Sequence, residues 1–188
     1  MAGRRHGRLS SLGVLALLPL AAAVLDGHLQ KLGGSEPLLC SACAWSASSL
    51  RSVLASKVKR STKAPDKRRA AAEAAMALAC EANRFPAQLV EMGGPSDRHF
   101  DDFQEMMKRG GTLTNIQMTP ENIDKVVGVC KSIVAEVGPG IAEKAVGFKD
   151  RLGHINWERL ICVKTLEVCR ETVMDKSEGE DEEDEEEL

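Results

Sequence analysis

The chain predicts an all-α domain stapled by disulfides. Three observations predict it: apolar residues recur at three- and four-residue steps, aromatic residues are scarce, and six cysteines follow a stretch laid out like a secretory signal. Aromatic content is 3% with no Tyr, whereas strand-rich domains draw on aromatic and β-branched side chains in alternation. The helical domain is placed at residues 36–175, with an insertion between the second and third cysteine-bearing helices.

Residues 4–8 are Arg-Arg-His-Gly-Arg, and an apolar run continues from Leu12 to Leu25. That run is shorter than the roughly 20 residues a bilayer requires. Ala21 and Ala23 have the spacing a signal peptidase reads, so residues 1–23 are expected to be a cleaved signal and 24–35 a short N-terminal lead. No later segment reads as apolar enough to span a membrane.

A first helix is expected from Pro37 to about Val58, with Leu39, Cys43, Leu50, Val53 and Leu54 on its apolar side. The Ser61–Pro65 stretch breaks it, and Asp66 is expected to cap an Ala-rich second helix ending near Cys80 or Asn83. Pro86 interrupts regular helix, and Ala87 to Met92 reads as one further turn. Between Gly93 and Pro120 the pattern weakens into an insertion, where Phe100, Phe103, Met106 and Met107 have the spacing of a short amphipathic helix. Thr119-Pro120 opens the clearest helix, striped with Ile123, Val126, Val127, Cys130, Ile133, Val134 and Val137. Gly138-Pro139-Gly140 is expected to stop it. A short segment follows from Ile141 to Phe148, and Asn156 is expected to cap a last helix through Leu160, Ile161, Leu166 and Val173.

Cys40, Cys43, Cys80, Cys130, Cys162 and Cys169 all lie after the signal, an arrangement that predicts an oxidised framework. Six cysteines allow about 15 pairings. The first two are close, the last two are close and the middle two stand alone, which suggests two bridges between the terminal segments and one across the interior. If the first and last helices lie antiparallel, Cys40 can reach Cys169 and Cys43 can reach Cys162. The fit is imperfect, because three helical residues rise about 4.5 Å and seven about 10.5 Å. One helix must therefore bend, fray or cross at an angle near its cysteines.

Formal net charge is −3, but it is unevenly spread. Arg51, Lys57, Lys59, Arg60, Lys63, Lys67, Arg68 and Arg69 face one acid, Asp66, over residues 51–69. Such a run can meet an anionic membrane, an acidic partner or the chain's own acidic end, and its commonest role is a solvated face. The secretory address excludes nucleic acid as the expected partner. At the far end, Ser177 to Leu188 holds nine acids and no base, which predicts a solvated tail over 176–188. Its close, Glu185-Glu186-Glu187-Leu188, resembles the KDEL class of retention addresses in the final Glu-Leu and departs from it at Glu185.

Taken together, these residues resemble the canopy family of the saposin-like superfamily. The resemblance rests on Leu39-Cys40-Ser41-Ala42-Cys43, on Cys80 closing the second helix, and on Val129-Cys130-Lys131-Ser132-Ile133-Val134. Leu160-Ile161-Cys162, Cys169 and the acidic tail complete it, over most of the chain after the signal. It implies a saposin-like fold with Cys40 bonded to Cys169, Cys43 to Cys162 and Cys80 to Cys130. It also implies an endoplasmic-reticulum resident that assists folding, maturation or export of membrane-receptor or secreted clients; other luminal chaperones are further expected partners, and the Glu185 ending is expected to weaken retention and allow partial secretion. The chain departs from the family in its Glu185 ending and its Ala-rich second helix.

Two other functions compete. A saposin-like lipid module would set the basic run against anionic lipid, with Phe100, Phe103, Met106 and Met107 as apolar contacts. A thiol–disulfide oxidoreductase would use Cys40-Ser41-Ala42-Cys43, but the strand–helix alternation of thioredoxin folds is missing. No metal site is expected, since no second close cysteine pair with histidine completes four ligands, and His99 beside Asp101 and Asp102 has no second histidine nearby. No cofactor is implied. The histidines His28, His99 and His154 stand without a nucleophile motif, a phosphate loop or a convergent acid pair, so no catalytic residue is assigned.

Overall fold

The computed structural model describes residues 27–28, 30–32, 34–59, 61, 64–94, 96–110, 115–148 and 152–171. Three helices carry the core: α1 (Glu36–Lys57), α2 (Pro65–Ala79) and the long helix taken up below, each packed on the other two. α1 starts where the Ser35 hydroxyl accepts from the Leu38 amide, with Glu36 placed favourably in the first turn. By length and composition α1 is apolar enough to cross a membrane, contrary to the expectation that no such segment follows the signal. Its apolar residues instead serve the core, with Leu38, Ala42, Cys43, Ala47, Leu50, Val53 and Leu54 almost wholly buried.

α2 explains its own composition. Ala72, Ala75 and Ala79 are fully buried, and side chains this small let the helix lie close against its neighbours. Asp66 does not cap it: the cap position is Ala64, Pro65 occupies the first turn, and Asp66 sits inside that turn. At the other end the Ser49 hydroxyl of α1 donates to the Ala79 carbonyl at 2.7 Å, satisfying one of α2's orphan acceptors.

The segment after α2 corrects the purely helical expectation. Ala87 to Met92 is not a helical turn: Leu89–Met92 forms strand β1, antiparallel to β2 (His99–Asp102), with Leu89 opposite Asp102 and Met92 opposite His99. Gly93 makes the turn at φ +101°, and a Cβ there would lie 2.6 Å from the Asp97 carbonyl oxygen. The expected amphipathic helix shrinks to α3 (Phe103–Lys108), with Phe100 in the strand before it. The hairpin docks on α1, because the Phe100 amide donates to the Ser41 hydroxyl at 3.0 Å and the Trp45 indole donates to the Phe100 carbonyl at 3.1 Å.

The long helix α4 (Glu121–Gly147) begins one residue later than expected, with Thr119 donating to the Asn122 side chain rather than capping a backbone amide. It also runs through Pro139, which was expected to stop it. Proline removes one donor, but the turns beyond it bury Ile141, Ala142 and Ala145 in the core, and that burial outweighs a single missing bond.

Asn156 does cap the last helical segment, its side chain accepting from the Arg159 amide at 2.8 Å. That segment stops far short of Val173: it is a π-helical stretch, Arg159–Thr165. Glu167 then adopts φ 54°, and the Val168 and Cys169 amides both donate back to the Cys162 carbonyl, at 2.9 and 3.0 Å. A continuous helix would carry Cys169 about 10.5 Å past Cys162. Folding the chain back brings both sulfurs to α1, whose cysteines are only about 4.5 Å apart along the axis.

The described part of the N-terminal lead also packs on the core, with Leu32 buried and His28 Nε2 2.6 Å from the Ser132 hydroxyl of α4. Partial burial, with Lys31 nearby, lowers the His28 pKa below the usual histidine value. An unfolded chain therefore binds more protons as pH falls through the ordinary histidine range, and stability declines there until the depressed value is passed. Urea midpoints measured across that range should drop for the native chain and flatten for His28→Gln; parallel slopes would contradict the assignment.

Candidate functional site

Cys40 and Cys43 lie one turn apart near the start of α1. Cys40 is bonded to Cys169 and Cys43 to Cys162, with Cα separations of 5.0 and 5.9 Å, while Cys80 at the end of α2 is bonded to Cys130 on α4 at 5.6 Å. The C-x-x-C pair is thus divided between two bridges, and no cysteine is free among the described residues. Exchange chemistry needs an accessible thiolate, whereas Cys43 and Cys162 have no exposed surface. The seam is ringed by ion pairs on the surface, including Arg159 Nη2 with Glu171 at 2.6 Å, which holds the Glu171 carboxyl below its usual pKa.

Arg60 and Lys63 lie outside the described residues, and the rest of the basic run divides on folding. Arg68, 6% exposed, turns inward and donates to the Ala145 carbonyl from Nε and Nη2 at 3.2 and 3.0 Å, and to Phe148 at 2.9 Å. Its third nitrogen reaches the Lys59 carbonyl at 3.5 Å. One guanidinium therefore caps the C-terminal end of α4 and ties the ends of α1, α2 and α4 into one pole. Lys57, Lys59, Lys67, Arg69 and Lys144 stay exposed around it. Within the run, position 68 carried no sequence signal that set it apart from its cationic neighbours.

A second buried polar group escaped the sequence reading. Glu91, 2% exposed on β1, receives Arg98 on one carboxylate oxygen and Lys125 on the other at 3.3 Å, while its backbone pairs with Gln117. Asn122, equally buried, donates to the Gln117 carbonyl at 2.9 Å and accepts from Lys125 at 3.3 Å. The cluster fastens the hairpin to the start of α4. Glu91→Gln keeps the volume and removes the charge; since both cations remain about one-third exposed, an expected loss of about 2 kcal/mol in urea unfolding follows. A loss under about 0.5 kcal/mol, typical of a surface pair, would sink this role.

The apolar residues offered as lipid contacts separate likewise. Phe100 and Met106 belong to the interior and Phe103 is half-buried, leaving Met107 exposed at 52%. Met118, exposed at 53%, follows the Gln117 bridge, and Phe148, at 40%, lies beside the Arg68 pole. His99 Nδ1 is 2.7 Å from the Asp97 carbonyl oxygen, and no group of three or more metal-ligating side chains gathers among the described residues. The signal, residues 1–23, and the retention-like Glu185-Glu186-Glu187-Leu188 lie outside the described residues. No family model matches the chain, and no curated protein and no solved structure matches it either.

Proposed function

We propose that this chain is a non-enzymatic folding assistant of the endoplasmic-reticulum lumen, canopy-like and saposin-like, that holds membrane-receptor or secreted clients through protein contacts. The observation that carries the reading is the nested first-to-last bridging of the two ends of the helical domain. Covalent closure lowers the entropy of the unfolded chain, so the native shape persists without burying every apolar side chain. Among the described residues Met107 and Met118 are the most exposed large apolar side chains, and methionine adapts to varied partners because it is unbranched and polarizable. The division of the C-x-x-C pair favours a structural role for those cysteines over redox turnover.

Light scattering of a heat-unfolding secretory protein tests the proposal. The oxidised chain should suppress aggregation at near-equimolar ratio, and the Met107→Ser, Met118→Ser double variant should suppress it several-fold less at unchanged stability. Absence of suppression by the native chain at large excess would overturn the reading.

A further inference from the structure

We propose that the acidic tail, Glu178 to Glu187, docks on the basic pole that Arg68 assembles. This inference is independent of the chaperone reading. Arg68 brings the Lys59, Ala145 and Phe148 carbonyls to one guanidinium, so exposed Lys59, Lys67 and Lys144 are held together with Lys57 and Arg69 at one end of the molecule. Among the described residues, opposing charge at this end is slight: Asp66 and Glu143 are exposed there, the latter 4.0 Å from Arg69. Lys57, Lys59, Lys67 and Lys144 have no ion pair among the described residues. Gathering like charges raises the local potential, and the pole attracts whichever anion is present at the highest local concentration.

The tail supplies that anion. Its tether begins at Glu171, just after Cys169, which is bonded to Cys40 near the start of α1. The pole lies at the other end of α1, about 25 Å away along the helix axis. From Glu171 an extended chain reaches about 23 Å by Glu178 and about 53 Å by Glu187, so the acidic stretch covers the required distance. A tether of this length gives an effective concentration on the order of millimolar. A membrane surface fits less well, because among the described residues Phe148 is the exposed large apolar side chain of this pole and one such side chain anchors weakly.

Zero-length carbodiimide coupling of the full chain, read by peptide mass spectrometry on a mixture of light and heavy isotope-labelled protein, tests the contact. Tail carboxylates should couple within one chain to Lys57, Lys59, Lys67 or Lys144 several-fold more often than to Lys31, Lys108 or Lys125. The preference should vanish at about 0.5 M salt, where the Debye length shrinks to a few Å. With Lys57, Lys59 and Lys67 all changed to Gln, residual coupling at Lys144 should fall several-fold; these positions are exposed and leave the fold intact. Even distribution over all lysines, coupling only between chains, or Lys144 coupling untouched by the triple change would each overturn the proposal.

Discussion

Replacing Cys40 and Cys169 by Ala is expected to cost about 2.7 kcal/mol, replacing Cys43 and Cys162 about the same, and replacing all four about 7 kcal/mol. The excess over simple addition comes from nesting. While either terminal bridge stands, the other closes only a ring of about ten residues, made of the steps from Cys40 to Cys43 and from Cys162 to Cys169. When both are gone, the unfolded chain regains a far larger loop. Its span of 119 residues is shortened by the 50-residue interval of the Cys80–Cys130 bridge to roughly 70, worth about 4.4 kcal/mol on the chain-entropy relation. Denaturant unfolding of the two double and one quadruple variants measures all three losses. Strictly additive losses, or about 5 kcal/mol for each pair alone, would refute the nested account.

The parts of this architecture legible in advance are those with long, repeated signals. α1 and α4 declared themselves because their apolar positions recur over five turns or more, and the mismatch between three-residue and seven-residue cysteine spacings required a break that the return at Glu167 provides. What failed was local and short. Leu89–Met92 has no alternation to separate it from a helical turn, and its strand character comes from its partners at His99–Asp102 and Gln117. Gly138-Pro139-Gly140 carries a strong stop signal, overridden because burial of Ile141 and Ala145 is a tertiary term that no local window contains. The charged residues were hardest. Arg68 and Glu91 look like ordinary surface ions in sequence, and only the fold shows which members of a charged run turn inward.

Arg68→Ala is therefore the substitution by which sequence and structure disagree most, with an expected loss of about 3 kcal/mol. An exposed member of a basic run would change stability by no more than about 0.5 kcal/mol. The truncated side chain leaves the Ala145 and Phe148 carbonyls at the end of α4 without their charged donor, in a place where Arg68 itself excludes water. Arg68→Lys should recover only part of the loss, since an ammonium restores the charge but not the planar fork that spans two separate carbonyls. The location of the damage is diagnostic as well. Hydrogen exchange should accelerate first in Ile141 to Gly147 and around Lys59, while Val129 to Ile133, buried beside the Cys80–Cys130 bridge, stays protected until global unfolding. Uniform acceleration along α4 would mean that Arg68 supports the fold as a whole rather than closing one helix end, and a loss below about 1 kcal/mol would return it to the solvated face that its neighbours occupy.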